Sequence, residues 1–405
     1  MGRFQFAIAA ALAFVTKHAN AYTIGSPAGL AAGTTGGAGG EVVYPTSPSE
    51  LIAYLNDTEP LCLAENNGFK SQDVIIQSGG MNNTGGCSNG TEVTLTYDNA
   101  ALKRMNVKGN KTVRGIGKSG VIMGKGMTLN GDNIILQNIH ITELNRHGSD
   151  KGNTTINNIW IDHVKVSHVG RQMLVTNKAG VATMTVSNSD FDGNTDYSAT
   201  CDGHHYWTFL FYGKNTGVSM LNNYVHGTSG RSPKVGGTKN EHVVAHIANN
   251  YWGDNSGHSF EIGANAYVLT EGNYFNNTKQ PLYKGKDGSM YTSNGTDATD
   301  ACTSYLGRSC KANVLVGSGN FTSRDGSAAL DTIKTYPVIV SYSNQAGNSE
   351  QQATQASDSE QQQPSSTHQA LPNLRTKWLR LQFKRVSWLM RGLRRRTILA
   401  LVSLT

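Results

Sequence analysis

Two cations lie close together in the stretch HGTSGRSPKVGG, residues 226–237. Arg231 and Lys234 flank Pro233 and have no acidic neighbour within that stretch. Because Pro233 is incompatible with a helix interior or a central strand, we expect a stiff turn here, bounded by glycines. Positive charges on such a turn are suited to meeting an anion, or a negative charge that develops during a reaction.

The elements that must position this turn follow a loose repeat that begins near residue 112. Short runs rich in Ile, Val, Leu and Met each end near an Asn or Asp, with β-branched residues alternating with polar ones. We take the polar residue at the end of each run as its marker, which gives Asn138, Asp162, Asn188, Asn223, Asn250 and Asn273. Successive markers are 24, 26, 35, 27 and 23 residues apart. A β-type repeat of this length predicts an all-β solenoid, a parallel β-helix, with a sandwich or propeller as the competing architecture. We also expect the asparagines at its corners to stack into a hydrogen-bonded ladder.

The longest gap, between Asn188 and Asn223, contains DFDGNTDYSATCDGHHYWTFLFYGK. This segment is rich in aromatic residues, His and Asp. In a solenoid, insertions lie in loops, usually on one face, and often form the binding site. We therefore expect this insertion to border a cleft.

Both ends of the chain differ in character from the repeat. Residues 1–21 have a short positive region, an apolar core too short to span a membrane and the sequence Ala-Asn-Ala, which predicts a secretory signal peptide. Residues 22–342 form the predicted β-helix domain, and residues 343–372 a Ser/Gln-rich disordered linker. Residues 373–405 form a basic tail of unknown role, typical of a surface-seeking amphipathic helix or of a variable tail.

The charge of +7 comes from the two ends of the chain. Residues 345–405 hold nine Lys or Arg and three Asp or Glu, and the signal peptide holds two more cations, so the remainder carries −1. Nothing in this balance calls for nucleic acid, or for a membrane in the main domain. We expect a secreted monomer, because a β-helix caps its own ends.

The five cysteines and eight N-x-S/T sequons also fit an extracellular protein. Cys302 and Cys310 are close enough in sequence to close a small loop, and Cys87 with Cys201 is a plausible long-range pair. Cys62 would then be left over. No CxxC pair is present, which argues against a structural zinc site.

Several long motifs occur together in one order: WIDHVKVSHVGRQMLV, DYSATCDGHHYW, HGTSGRSPKV, NNYWGDNSGHSFEIGANAYVLTEGNYF and CTSYLGRSC. From about residue 22 to about residue 335 the chain resembles the pectin lyases of polysaccharide lyase family 1. This resemblance implies a right-handed parallel β-helix that cleaves methyl-esterified galacturonan by β-elimination and releases 4,5-unsaturated oligogalacturonides. The expected partner is pectin.

The resemblance also implies site residues. Arg231 matches the family's catalytic arginine, which acts either as the base or as a charged group that stabilises the enolate while water or another group takes the proton. Arg171 matches an arginine that faces the cleft, and Asp150 is the nearest candidate for a carboxylate beside the arginines. The predicted substrate-binding residues are Lys234, Tyr206, Trp207, Asp196 and His205.

The similar pectate lyases hold calcium in the region where an arginine, here Arg171, occurs in pectin lyases. We therefore expect no metal and no other cofactor. Asp162 is interpreted as structural rather than as a calcium ligand, and His163 and His168 as packing or polar-network residues. His258 and Glu261 in GHSFEIG are likewise interpreted as structural.

Two stretches depart from the family pattern. Residues 60–90 lack the tryptophan of the family's cysteine-rich segment, and no Trp-Gly-Gly precedes Asp150. Two alternative hypotheses follow: a catalytically impaired β-helix that binds pectin in the cell wall, and a calcium-dependent pectate lyase.

Overall fold

The protein was analysed as a computed structural model that describes residues 24–38, 40, 43–56, 69–76, 91–98, 104–144, 154–195, 198–294, 297–343 and 402–404. The predicted signal peptide lies outside these residues, and so does nearly all of the predicted linker and tail. Within the described part, no helix is long and apolar enough to cross a membrane.

The elements are mostly short strands. In chain order the strands are β1 Phe69–Ile76, β2 Thr91–Asp98, β3 Met105–Lys108, β4 Lys111–Arg114, β5 Val121–Met123, β6 Met127–Asn130, β7 Ile134–Thr142, β8 Ile159–Ser167, β9 Leu174–Val175, β10 Met184–Ser187, β11 Asp190–Asp192, β12 Phe209–Phe211, β13 Thr216–Leu221, β14 Tyr224–His226, β15 Lys234–Val235, β16 Val243–Ala248, β17 Tyr251–Ile262, β18 Ala266–Glu271, β19 Tyr274–Leu282, β20 Ser289–Thr292, β21 Val314–Val316 and β22 Val402–Leu404. The helices are α1 Pro48–Asn56, α2 Asp297–Leu306, α3 Gly326–Ile333 and α4 Pro337–Val340.

The strands stack coil upon coil in parallel, which confirms the predicted parallel β-helix. Sheet 1 contains β4, the first halves of β7 and β8, and then β10, β13, β16, β18 and β20. Sheet 2 contains β5, the second halves of β7 and β8, β11, β14, the first parts of β17 and β19, and β21. Sheet 3 contains β9, β12, β15 and the ends of β17 and β19.

Two smaller groups of strands lie beside these sheets. Strands β3, β6 and β22 form a three-stranded parallel sheet, and β1 pairs with β2 in an antiparallel hairpin.

Apolar side chains fill the inside of the coils. Alternate residues of each strand point inward, and the core consists mainly of Ile, Val, Met and Leu. Aromatic rings stack toward its C-terminal end, at Phe191, Phe209, Phe211, Trp252, Phe260, Phe275 and Phe321. Because one coil cannot bury its inner face alone, this stack makes each coil depend on its neighbours.

An asparagine ladder joins the later coils, as predicted, but it begins only at Asn223. The side-chain amide of Asn223 donates to Asn250 at 2.8 Å, that of Asn250 to Asn273 at 2.9 Å, and that of Asn273 to Asn313 at 2.9 Å. Their amides also donate to main-chain carbonyls, so these buried polar groups are satisfied. One earlier coil has Ser189 in this position.

The three earlier sequence markers occupy a different position, which corrects the predicted register of the ladder. Asn138 and Asn188 lie at the corner between sheets 1 and 2 with left-handed φ values of 54° and 49°. Asparagine tolerates this conformation better than most residues, so its recurrence there reflects a turn and not a ladder. Asp162 lies one residue before the equivalent corner residue, His163, whose φ is 51°.

The C-terminal segment covers the outer face of sheet 1. Helix α3 packs on β18 and β20, and Cys302 is disulfide-bonded to Cys310, which confirms the predicted small loop. Arg308 donates two hydrogen bonds to the buried carboxylate of Glu271, at 2.8 and 2.6 Å, and His246 donates a third at 2.8 Å. Cys201 is also disulfide-bonded. Cys87 lies outside the described residues, so this pairing stays a prediction.

Candidate active site

Sheet 3 and the turn that leads into its strand β15 carry the two cations that the sequence singled out. Leu210, Lys234 and Glu261 occupy the same register position on three successive coils, so Glu261 lies directly beside Lys234. Lys234 Nζ is 3.0 Å from Glu261 Oε1, and Arg231 Nε donates to Glu261 Oε2 at 3.1 Å. The two cations therefore share one carboxylate from the next coil.

The charges of this cluster differ in exposure. The Glu261 side chain is 5% exposed, whereas those of Arg231 and Lys234 are 28% and 21% exposed. Burial opposes ionisation of Glu261, but the His258 ring nitrogen 3.5 Å away, the hydrogen bond from Lys234 and the charges of both cations outweigh it and hold its pKa well below the ordinary value. Glu261 is thus a buried, ionised carboxylate that binds two partly exposed cations, Arg231 and Lys234.

The backbone of the 226–237 turn is fixed by the coils on either side. Arg231 has a left-handed φ of 49°, and its carbonyl accepts a hydrogen bond from Phe209 N at 2.8 Å. Ser232 N donates to Ser259 O at 2.8 Å, and the Ser232 carbonyl accepts from the indole of Trp252 at 2.8 Å. The neighbouring coils therefore hydrogen-bond directly to the backbone of this turn.

Adjacent aromatic residues support the two arginines. The guanidinium of Arg231 lies 5.4 Å from the ring centroid of Tyr206, and that of Arg171 lies 5.1 Å from the ring of Trp207. The two rings meet edge to face, with centroids 5.7 Å apart. A Cβ on Gly230 would lie 2.5 Å from the Tyr206 ring, so glycine is needed there for the ring to reach Arg231. The HHYW segment is therefore the platform on which both arginines lie.

His205 is buried beneath this platform. Its Nε2 donates to the main-chain carbonyls of Arg171 at 2.7 Å and Trp207 at 3.0 Å. Burial lowers the pKa of His205, which favours the neutral imidazole. The geometry makes His205 a support for the Arg171 backbone rather than a group that faces solvent.

The remaining predicted residues divide into two groups. Asp150 and Asp196 lie outside the described residues, so nothing follows about their positions. Trp207 is buried and Tyr206 is half-buried. The structure brings Arg231, Lys234 and Tyr206 together, and it brings Arg171 to Trp207.

Four residues of the neighbourhood were not among the predicted site residues: Glu261, His258, Tyr283 and Lys286. The His258 ring lies between those of Tyr206 and Tyr283, with centroid distances of 5.7 and 4.8 Å, and Lys286 Nζ is 4.0 Å from Glu261 Oε1. A signal was present in the sequence, because Glu261 follows Lys234 by the same 27 residues that separate Asn223 from Asn250.

Asp162 lies one residue before the corner between sheets 1 and 2, and both of its carboxylate oxygens accept hydrogen bonds. Its oxygens accept from Gln137 at 2.8 Å, Ser187 at 2.7 Å, Asn188 at 2.8 Å and His163 at 2.7 Å. Burial opposes its ionisation, yet these donors lower its pKa. With its lone pairs used in this way, Asp162 has little left to offer a cation.

In the described part of the chain, no group of three or more His, Cys, Asp or Glu side chains could hold a metal ion.

A family model described as pectate lyase matches residues 4–351. The chain belongs to the pectate lyase family. Among curated relatives of this family, the probable pectin lyase F-2 of Aspergillus terreus is 42% identical over 78% of this chain and 70% of its own length. The probable pectin lyase A of Aspergillus oryzae is 40% identical over 74% of this chain and 85% of its own. A solved pectate lyase from Bacillus sp. N165, in complex with trigalacturonate, is 21% identical over 62% of this chain and 74% of its own, with a TM-score of 0.41.

Proposed function

We propose that the protein is a pectin lyase, which cleaves methyl-esterified polygalacturonan by β-elimination. The observation that carries the proposal is the Arg231–Lys234 pair on its shared carboxylate, in a chain about 40% identical to probable pectin lyases. The substrate is a polysaccharide, and the bond broken is the glycosidic C4–O bond of the uronate.

The reaction needs positive charge beside the carboxyl group. A base removes the C5 proton, the electron pair of that bond forms the C4–C5 double bond, and the C4–O bond breaks. The leaving oxygen takes its electron pair and then a proton. As C5–H weakens, negative charge develops on the ester oxygens, and preorganised cations stabilise it best.

In this proposal Arg231 is the group that meets the developing charge. Only its Nε is used by Glu261, so the outer edge of the guanidinium remains available to an ester oxygen. Because a guanidinium offers N–H donors and no acceptor, we assign Arg231 the electrostatic role and solvent water the role of proton acceptor.

The other predicted residues have supporting roles. Lys234 adds a second charge beside Arg231, and Arg171 faces the substrate from its platform on Trp207. Tyr206, Trp207 and His205 position the arginines. Asp150 and Asp196 remain proposed as the carboxylate near the arginines and as a substrate ligand. We further propose that the enzyme is secreted, monomeric and independent of metal ions and other cofactors.

The test is turnover of highly methylated pectin by the full-length protein, followed by the ultraviolet absorbance of the unsaturated product. We expect product that survives a calcium chelator. Arg231→Ala should lower kcat by about 100-fold or more, whereas Arg231→Lys should keep part of the activity, because charge is retained without the guanidinium fork. Unchanged thermal unfolding of both variants shows that the fold is intact.

The same assay separates the alternatives. Product that disappears with the chelator would move the protein to the calcium-dependent pectate lyases. A folded protein that binds pectin but releases no unsaturated product would be a binding protein. A wild-type kcat in Arg231→Ala would remove Arg231 from the mechanism.

A further inference from the structure

Residues 317–324 follow β21, the last strand of sheet 2, at the C-terminal end of the solenoid. Phe321 in this segment is 2% exposed, and the centroid of its ring lies 4.8 Å from that of Phe275 in the core. Gly319 N donates to Thr278 O at 2.9 Å, which ties the segment to the previous coil. The core contact and this hydrogen bond fix the backbone on which the neighbours of Phe321 lie.

The two neighbours of Phe321 complete an N-x-T sequon. Asn320 and Thr322 are both exposed, on either side of the buried phenylalanine. Such a tripeptide is an acceptor for an N-linked oligosaccharide, which is bulky and has to lie at the surface of the folded protein. Because the ring is buried and the asparagine exposed, an oligosaccharide on Asn320 leaves the core packing undisturbed.

Three of the eight sequons have both their asparagine and their threonine among the described residues. At Asn276 the amide donates to Tyr251 OH at 2.9 Å, and Thr278 is fully buried. At Asn110, both the asparagine and Thr112 accept hydrogen bonds from neighbouring segments. The sequon at the end of the solenoid is therefore the one of these three in which both side chains are exposed.

The strand before this sequon lies at the end of its sheet. Strand β21 pairs in parallel with β19, and its outward residues Val314 and Val316 are 45% and 43% exposed. An exposed strand edge with apolar side chains is a template for pairing with another chain, and proteins blunt such edges with charge or with a cover. Asn320 lies four residues beyond Val316, so a large polar group on its side chain lies close to this edge.

We propose that Asn320 carries an N-linked oligosaccharide, which shields the terminal edge of sheet 2 from association with a second copy of the chain. The inference rests on the proposed secretion and not on the lyase reaction. In the transfer, the amide nitrogen of Asn320 bonds to C1 of the first sugar of a lipid-linked oligosaccharide and loses a proton. The C1–O bond to the lipid pyrophosphate breaks, and the pyrophosphate leaves with the electron pair.

The experiment expresses the full-length chain in a eukaryotic host that performs N-glycosylation and analyses the secreted protein. Peptide-N-glycosidase in heavy-oxygen water converts each glycosylated asparagine into a labelled aspartate, which mass spectrometry of peptides then locates. We expect the label at Asn320 and not at Asn276. Thr322→Ala should remove the oligosaccharide, and the matched control Thr322→Ser should keep it, because serine retains the hydroxyl of the sequon.

Light scattering of the same two variants tests the shielding. The mass of Thr322→Ala in solution should rise with protein concentration, whereas that of Thr322→Ser should stay at the monomer value. Val316→Lys added to Thr322→Ala should restore the monomer mass, because a lysine on an edge strand opposes pairing.

Two results would overturn the proposal. An unlabelled Asn320 in the secreted protein would remove the modification site, and a constant monomer mass in Thr322→Ala would remove the shielding. If the protein stays in the cell, the proposed secretion fails, and the host's own leader then replaces residues 1–21. An unlabelled Asn320 in that secreted protein would refute the site independently. None of these measurements uses turnover of pectin, so a failure of the lyase activity is distinguishable from a failure of the site.

Discussion

Replacing Glu261 tests whether the shared carboxylate orients the two cations. Its oxygens lie 3.1 Å from Arg231 Nε and 3.0 Å from Lys234 Nζ. Two unit charges near 4 Å attract by about 4 kcal/mol at an effective dielectric constant of about 20. Because both cations are about a quarter exposed, we take about 1–2 kcal/mol for each pair after screening. Loss of both contacts then removes about 3 kcal/mol of the free energy that holds the two cations in their orientation. If this is lost from transition-state stabilisation, the rate falls by about 100-fold.

The expected result is a graded series in kcat. Glu261→Ala lowers kcat by about 100-fold, and Glu261→Gln by about tenfold, because the amide keeps an acceptor oxygen but loses the charge. KM should change by less than about threefold, since the contact matters most when charge develops on the substrate. Glu261→Asp, which keeps the carboxylate on a shorter side chain, should recover part of the rate.

The pH dependence follows from the direction of the pKa shift. The pKa of Glu261 is held well below its ordinary value of 4.5, so its contribution is complete above that pH and is lost only when the pH falls through the folded-state pKa. An acid limb of kcat near pH 4 to 5 should therefore be the same in wild type and Glu261→Gln.

The matched control is Glu241→Gln, which removes the same charge from the 238–241 turn, where Glu241 accepts a hydrogen bond from Thr238 N. Wild-type kcat in Glu261→Gln and Glu261→Ala, measured on protein with unchanged thermal unfolding, would refute the positioning role. An equal loss in the Glu241→Gln control would show that net charge, and not orientation, sets the rate.

Two further predictions concern stability. Asn250→Ala removes the middle of the ladder and leaves buried partners on Asn223 and Asn273 unsatisfied, so urea unfolding should show a loss of about 3 kcal/mol; a loss below about 1 kcal/mol would contradict the ladder's role. Although burial opposes ionisation, hydrogen bonds from His246 and Arg308 lower the pKa of Glu271 to about 2. The ionised carboxylate therefore contributes on the order of 3 kcal/mol to the free energy of unfolding. This contribution is present above about pH 4.5 and is lost as the pH falls toward 2. Thermal unfolding of Glu271→Gln should then vary less between pH 5 and pH 3 than that of wild type.

The repeat was predictable because the coils of a solenoid have similar lengths and similar patterns of apolar residues. Each coil needs an inward apolar face and a turn, so β-branched runs and corner asparagines recur every 23 to 27 residues in most coils. The register of the ladder was harder to predict. An asparagine at a left-handed corner, such as Asn188, and one in the ladder, such as Asn223, look alike in a sequence although they serve different backbone needs.

The site was only half predictable, for a related reason. Arg231 and Lys234 were found because they are close to each other in sequence. They looked unpaired because their common partner, Glu261, is distant from them in sequence. Glu261 lies one coil away, in a neighbouring strand, where it is as close in space as a residue on the same strand. The same applies to Lys286 and Tyr283. In a solenoid, the residue to inspect beside a functional side chain is the one a full coil later.

The coil-to-coil contacts also decide what can move in this site. The backbone around Arg231 is bonded to strands on both sides, to Phe209 N and through Ser232 to Ser259 O. Its position is therefore set by the ladder, while the direction of its guanidinium is set by Glu261 and Tyr206. A substitution at Glu261 should leave the backbone in place and release only the side chain. We therefore expect such a substitution to lower kcat strongly and to change thermal unfolding little. A large loss of stability would instead mean that the ion pairs, and not the hydrogen bonds between strands, hold the turn.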